Sequence, residues 1–429
     1  MNVLVLASTY PHPGHPYSGI FNEKCVHVLS KICRRVEVLA PRPYVPPVVS
    51  SFIPRWKAYK AARTHESGNG TSVYRPAVLT VPRLGGALWV DRSAFLCCRR
   101  TAREMHRRAK FDAILSFDLL GAGGLAWRMG RDLGIPAAGW ATGSDVRVPE
   151  FSSFGQSVTR ALKHLDVIFY QSHELMERAA ALLDIPSDEM SPDRHLVLPR
   201  GIPEPPSLPR ASIRKQLRSD LKIADEAILV LSIGRVSREK GIFELLEAVS
   251  IAAARDPRIV CAVVGSFPAF DETPDAQRRL NEIPSLKDKV VLLPACPADK
   301  VWEYLCAADI FAFTSHREGM PNSLLEAMAM GVPSIAFAIP PVLEIEAGTG
   351  ALVKVPPLNS HLFSEAILGL AASPDERGRI GEKGKAEITS RFMVRENMAK
   401  AIRRLAQAVE KSRDAKGAKI ETAVMVNGK

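Results

Sequence analysis

Short apolar runs rich in β-branched residues recur along the chain at residues 3–7, 36–40, 113–117, 137–141 and 167–170, and each is separated from the next by a helix-sized segment. Runs of this length, bounded by turn residues and apolar on consecutive positions, predict strands buried on both faces, and their alternation with helices predicts a parallel α/β sheet. The pattern restarts at residues 228–233 and continues through 259–264, 290–293, 310–314 and 334–338. Two sheets and two α/β domains follow. Between them Pro199, Pro203, Pro205, Pro206 and Pro209 crowd into eleven residues, a density that removes backbone donors and forbids helix. The expected division is therefore a first domain over 1–204 and a second over 205–390. Residues 391–411 read as one amphipathic helix, expected to pack back on the first domain, and 412–429 read as a polar tail with too little apolar content to order itself. Ligands of open parallel sheets bind at the carboxyl ends of the strands, which makes the cleft between two such domains the expected site.

Composition changes this picture in one place. With 429 residues, 46% hydrophobic and 24% charged, the chain is long and apolar enough for large cores, which excludes wholesale disorder and a single small binding module. The net charge of +11 is unevenly spread: residues 1–205 carry 26 basic and 18 acidic side chains, and residues 55–110 alone carry thirteen Lys or Arg against three carboxylates. An anionic neighbour is expected there. The seven cysteines form no Cys-x-x-Cys and have no His at metal spacing, so neither zinc nor a disulfide framework is indicated and a reducing cytoplasmic location is expected. The opening apolar run is too short and lacks the basic flank of a signal peptide, and no uncharged run approaches the ~18 residues of a membrane span.

Two segments carry candidate chemistry. The first, Ser232-Ile233-Gly234-Arg235-Val236-Ser237-Arg238-Glu239-Lys240-Gly241, joins the first strand of the second domain to a helix from about Ile242. It places Arg235, a planar fork for phosphate oxygens, and Lys240, a compact point charge, at the strand's carboxyl end. The bland reading is a solvated basic loop. The second runs from Glu318 through Gly319, Met320, Pro321, Asn322, Ser323 and Leu324 to Glu326 and Gly331, with Pro333 beyond. Pro321 and Asn322 mark a helix start, and free backbone N–H groups at Asn322–Leu324 would suit a diphosphate. Glu326, one turn inside, can accept two hydrogen bonds from a vicinal diol such as ribose. Glu318, on the loop, can reach a sugar further out. The bland reading is a dipole partner and an exposed helical Glu.

These segments, with Ala307-Ala308-Asp309-Ile310 before them and Gly331-Val332-Pro333-Ser334 after, resemble the retaining glycosyltransferases of family 4, which have the GT-B architecture of two facing Rossmann-like domains. The resemblance implies that Arg235 and Lys240 bind the donor diphosphate, Glu318 meets the donor sugar and Glu326 the nucleotide ribose, with Gly234, Gly319, Met320, Asn322, Ser323 and Leu324 lining the donor site. It also implies that Gly19, in the turn after the first strand, lets the first domain's backbone approach the donor; a plain turn glycine is the alternative. The first domain departs from the pattern. Thr142, in Ala141-Thr142-Gly143-Ser144-Asp145, stands where many members carry His, and Arg200 stands before Gly201 where Asn is usual. Asp145 and Thr142 remain the acceptor-side candidates, although a loop Asp capping the next helix is the commoner explanation for Asp145.

Gly121-Ala122-Gly123-Gly124-Leu125-Ala126 satisfies a dinucleotide fingerprint. However, it follows a later strand rather than the opening one, and no acidic residue ends the strand at 137–141. No Asp-x-Asp occurs anywhere, so no metal and no other cofactor is expected, with Arg235, Lys240 and the helix N-terminus supplying the positive charge. The reading reached is a metal-independent, retaining transferase that moves a sugar from a nucleotide-sugar donor to an acceptor hydroxyl. Alternatives are a GT-B nucleotide-sugar epimerase and a non-enzymatic nucleic-acid or membrane binder. Nucleic acid is not the expected partner. Arg55, Lys57, Lys60, Arg63, Arg99, Arg100, Arg103, Arg107 and Arg108 interleave with Trp56, Tyr59, Leu88, Trp89, Phe95 and Leu96. That pattern suits an amphipathic helix on an anionic leaflet, which would bring the enzyme to a lipid-linked acceptor in polysaccharide or glycolipid assembly.

Overall fold

The computed structural model describes residues 1–16, 18–45, 62–68, 70–79, 86–148, 152–266 and 271–427. Contacts divide the chain into two compact units, Met1–Arg200 with Val394–Lys429, and Gly201–Met393. The division falls four residues before the expected 204/205 because residues 201 and 202 pack within the second unit. Ile202 N donates to Phe392 O at 2.8 Å. Gly201 stands at φ +83 with Phe392 so close that a Cβ would lie 2.3 Å from its carbonyl oxygen.

The first unit contains β1 (Asn2–Leu6), β2 (Arg35–Leu39), β3 (Arg42–Pro43), β4 (His65–Gly68), β5 (Thr71–Tyr74), β6 (Ala77–Val78), β7 (Ala113–Ser116), β8 (Ala137–Ala141), β9 (Val167–Tyr170) and β10 (His195–Val197). Its main sheet has the order β10-β9-β8-β7-β1-β2-β5-β4, and β3 pairs with β6. Main-sheet pairs are parallel except for the β4/β5 hairpin. Its helices are α1 (Ile20–Ile32), α2 (Gly86–Ala109), α3 (Gly123–Leu133), α4 (Ser153–His164) and α5 (His173–Leu183). Alternation along β1 sorts the core: Val3 and Val5 join a cluster with Val26 and Leu29 of α1, and Leu4 and Leu6 join one with Met105, Leu125, Leu162 and Leu175 of α2–α5.

The second unit repeats the plan with β11 (Ile228–Ile233), β12 (Ile259–Ser266), β13 (Val290–Pro294), β14 (Ile310–Phe313), β15 (Ser334–Phe337) and β16 (Val353–Val355), in the order β13-β12-β11-β14-β15-β16. Its helices are α6 (Arg210–Asp220), α7 (Ile242–Arg255), α8 (Thr273–Glu282), α9 (Ala298–Ala307), α10 (Asn322–Ala329), α11 (Pro340–Glu346), α12 (Ser360–Ala372) and α13 (Pro374–Arg391). In each sheet the opening strand lies between its immediate successor and a later strand: β1 between β2 and β7, β11 between β12 and β14. At such a reversal of strand order the loops on either side run to opposite faces and leave a crevice at the carboxyl ends.

The last helix, α14 (Val394–Asn427), belongs to the first unit. Val394, Met398, Ala401, Leu405 and Val409 recur at helical spacing and are buried in the cluster that holds α1. The helix extends through the segment expected to be a tail, since no proline interrupts it and its Ala, Lys and Glu residues favour helix without packing.

The basic stretch differs from expectation. Arg55, Trp56, Lys57, Tyr59 and Lys60 lie outside the described residues, as do the side chains of Leu88 and Trp89. Within α2 the apolar stripe Ala94, Cys98, Ala102, Met105 and Ala109 is buried in the unit's own core. Arg99 and Arg103 each reach Asp132 at 2.7 Å, and Arg108 donates to the Tyr74 hydroxyl at 2.9 Å. The outward face keeps Arg92, Leu96, Arg100 and Arg107 exposed, with Arg100 paired to Glu104. Among the described residues no helix is long and apolar enough to cross a membrane.

Candidate functional site

In the second unit, the loop after β11 and the loop after β14 meet at the reversal of strand order, and together they hold the two segments singled out above. Gly241 is what lets them meet. It stands at φ +70, and a Cβ there would lie 1.9 Å from the carbonyl oxygen of Thr314, so no other residue fits without moving backbone. The approach is closed by Thr314 Oγ1 donating to Lys240 O at 3.1 Å, by His316 N donating to Glu239 O at 2.9 Å, and by Arg317 Nε donating to Glu239 Oε1 at 3.2 Å.

Lys240 and Glu318, 78 residues apart in sequence, form a direct ion pair across this junction with both side chains largely shielded. Burial by itself would raise the Glu239 carboxyl, but Arg317, Lys240 and Arg235 hold it below the usual range, a measure of how electropositive the junction is. Arg235 is exposed and makes no ion pair among the described residues, so its guanidinium is available to an anion. Beside them α10 begins at Pro321 without a side-chain cap. Asn322 N is occupied by Met320 O at 3.1 Å. That corrects the expectation of three free amides and leaves Ser323 and Leu324 with no acceptor among the described residues. Gly319 and Met320 are buried, packing the loop beneath the helix start. Glu326 is 5% exposed. It is therefore not the exposed helical Glu of the bland reading but a carboxylate set into the wall one turn below those amides. Ser237, which sequence reasoning passed over, has its hydroxyl oxygen shielded from solvent with no hydrogen-bond partner among the described residues. Its position between Arg235 and Lys240 was the only sequence signal that could have drawn attention to it.

Asp309, part of the family motif, plays a different part. It accepts from Arg214 at 2.6 Å, Arg218 at 3.0 Å and Leu229 N at 2.8 Å, at the amino end of β14. This is a brace for the sheet, remote in register from the strand's carboxyl end.

The first-unit candidates lie within that unit. Gly19 sits at φ +77 with Thr9 so close that a Cβ would lie 2.6 Å from its carbonyl, so its own loop demands glycine. Asp145 is 2% exposed and accepts from Leu119 N at 3.1 Å, Thr142 N at 3.0 Å and Gly143 N at 2.8 Å. Its carboxylate is committed to the backbone, and Thr142 is one of the residues it holds, with the Thr142 hydroxyl 3.4 Å from it. Both build the loop rather than presenting an acceptor group. The dinucleotide-like run is a packing feature: a Cβ on Gly124 would lie 2.4 Å from the Asp91 carboxylate, which is itself bonded by Ser157.

Residues 213–387, nearly all of the second unit, match the family described as Glycosyl transferases group 1. Over 86% of this chain and 88% of the relative, the sequence is 28% identical to the putative teichuronic acid biosynthesis glycosyltransferase TuaC of Bacillus subtilis. It is 26% identical to the alpha-monoglucosyldiacylglycerol synthase of Streptococcus pneumoniae over 44% of this chain and 46% of that one. The fold matches HepE of Anabaena, crystallised with UDP, at a TM-score of 0.70 and 16% identity, over 95% of this chain and 100% of that one. The second unit thus matches the group 1 glycosyl transferases over nearly all of its length, and the chain as a whole has the GT-B fold.

Proposed function

We propose that the protein transfers a sugar from a nucleotide-sugar donor to the hydroxyl of a lipid-linked saccharide or glycolipid precursor, with retention of anomeric configuration and without a metal. The observation that carries this reading is the convergence of Arg235, Lys240, Glu318, Glu326 and the uncapped start of α10 on one strand-order reversal. Arg235 and the amides of Ser323 and Leu324 suit the diphosphate, whose charge grows as the glycosidic bond breaks. Lys240 exchanges part of its pairing with Glu318 for phosphate oxygens, which frees Glu318 to accept from a sugar hydroxyl. Glu326 accepts from the ribose diol. Front-side departure, with the leaving phosphate taking the acceptor's proton, needs no protein nucleophile. The positive charge that a metal would otherwise bring comes from Arg235 and Lys240.

Support for the acceptor class comes from the relatives, one acting in teichuronic acid biosynthesis and one a diacylglycerol glycolipid synthase by name. The exposed row Arg92, Leu96, Arg100 and Arg107 on α2 suits peripheral attachment to an anionic leaflet, where each cation contributes about 1 kcal/mol. Flotation with vesicles should require anionic lipid, fall with salt, and fail when Arg92, Arg100 and Arg107 are neutralised. Equal recovery with neutral vesicles refutes attachment by charge.

A thermal-shift panel of UDP, GDP, ADP and their sugars tests the donor. A ligand at a hundred times its dissociation constant adds about 2.7 kcal/mol, so one base should respond and the others should not. HepE, crystallised with UDP and with UDP-glucose, makes uridine the first to try. The anomeric configuration of the product, read by NMR, tests retention. Activity lost to EDTA and restored by magnesium or manganese would contradict the metal-free reading.

A further inference from the structure

The first unit has a strand-order reversal of its own, between β1 and β7, and the residues assigned so far leave it empty of chemistry. At its mouth lies Asp118, directly after β7, half-buried and spanning the crevice: Oδ2 accepts from Ser8 N, after β1, at 3.0 Å, and Oδ1 accepts from Ala122 N, at the start of α3, at 2.9 Å. The Ser8 hydroxyl also bonds it. A carboxylate offers about four acceptor sites, so its oxygens are fixed in place with capacity remaining. Asp145, by contrast, is buried and filled by backbone donors.

The walls are kept open by glycine. Gly121 stands at φ +120, and a Cβ there would lie 3.1 Å from Ser8 Cβ and 3.4 Å from Asp118 Oδ1, closing the space over the carboxylate. Beneath lies Arg200, 7% exposed, bonded to Phe117 O and to Asn22 Oδ1 at 2.8 Å, with its guanidinium 4.8 Å from the Phe117 ring centroid. Asn22 in turn donates to Thr9 O at 2.8 Å. Burial pushes the Asp118 carboxyl up and the bonds from Ala122 and Ser8 pull against that shift, while Arg200, held by Phe117 O and Asn22, makes the floor of the crevice rigid.

We propose that Asp118 is the carboxylate that accepts a hydrogen bond from the acceptor's hydroxyl, in the crevice between β1 and β7, an assignment that rests on the transferase reading above. It gives the first unit a substrate-binding group where sequence reasoning had looked to Thr142 and Asp145. The acceptor sites that Ser8 and Ala122 leave open on Asp118 take a donor, so the group it selects is a hydroxyl rather than an anionic substituent of the acceptor.

Wild type, Asp118→Asn and Ser8→Trp are compared in two measurements: affinity for the nucleoside diphosphate that responds in the thermal-shift panel, and transfer of labelled sugar from the corresponding nucleotide sugar to a bacterial extract of lipid-linked saccharides. Ser8→Trp keeps the backbone N–H that holds Asp118 and fills the mouth of the crevice. Both variants should hold diphosphate affinity within twofold of wild type, while the extract concentration for half-maximal transfer rises at least tenfold. Unchanged transfer by a folded Asp118→Asn overturns the assignment, and so does diphosphate affinity that falls in step with transfer. If Asp118→Asn fails to fold, Ser8→Trp decides: wild-type transfer overturns the proposal, and selective loss of transfer supports it. A wild type that answers to no nucleotide sugar overturns the transferase reading first and this one with it. A wild type that transfers beside an unaffected Asp118→Asn overturns this one alone.

Discussion

Replacing Gly241 by Ala should separate the two loops that form the candidate donor site. The added Cβ would lie 1.9 Å from Thr314 O and 2.7 Å from Thr314 C, both backbone atoms, so the loops must part by about 1 Å to restore contact distance. The left-handed backbone at φ +70 costs an L-residue about 1–2 kcal/mol. Breaking Thr314 Oγ1 to Lys240 O and His316 N to Glu239 O adds about 1 kcal/mol each. The total is about 3–4 kcal/mol, or roughly 6–16 °C in Tm for a unit of this size. Because the displaced loop carries Lys240 against Glu318, turnover of the complete donor should fall about a hundredfold, the penalty of a 1 Å misplacement. Urea unfolding and steady-state transfer measure the two effects. Gly348→Ala is the internal control: Gly348 has φ +78 but nothing within 4 Å of a Cβ, so it should lose only the backbone cost and leave turnover alone. If Gly241→Ala is no less stable than Gly348→Ala, or transfers within threefold of wild type, the close approach is not what assembles the site.

Glu326→Ala should weaken nucleoside-diphosphate affinity by about 1.5–3 kcal/mol, the loss of hydrogen bonds to a charged acceptor, and calorimetric titration reads this as roughly tenfold to over a hundredfold. Arg235→Ala, at an exposed position, should leave the unfolding midpoint unchanged and lower turnover by about a hundredfold to a thousandfold. Arg218→Ala should do the reverse: it leaves Asp309 with Arg214 as its remaining cationic partner and takes the guanidinium donor from the Ala224 and Ala227 carbonyls, costing about 1–3 kcal/mol of stability, while the folded fraction keeps its donor affinity. Burial pushes the His195 ring down to about 4, so the fold favours the neutral form, hydrogen-bonded to the Tyr170 hydroxyl at 2.8 Å. The unfolded chain therefore binds the extra proton, and stability present above pH ~6.5 is lost as pH falls toward 4. Urea midpoints across that window should flatten in His195→Gln, and an identical slope in both proteins removes His195 as the cause.

The strands on either side of each crevice were legible in the sequence because they are apolar on consecutive positions and largely buried: β1, β7, β11 and β14 each appear within a residue or so of the expected runs. The short or polar ones, β3, β4, β6 and β16, were not, since two to four residues such as His65–Gly68 carry no periodicity and become strand only by pairing with a neighbour already in place. The same divide runs through the candidate site. Arg235, Lys240, Glu318 and Glu326 could be named from loop position and spacing, because a strand-to-helix loop is local chemistry. That Lys240 faces Glu318, that Glu326 is walled in, that Asp145 is consumed by backbone donors while Asp118 keeps acceptor capacity, and that Asp309 braces rather than binds, all depend on strand order. Side-chain patterning acts through neighbours three or four residues away along a helix, or two along a strand, and so writes each element into its own stretch of chain. Which loops share a crevice is set by which strands lie side by side, and that is chosen by burial of whole faces between segments as far apart as Ser8 and Asp118.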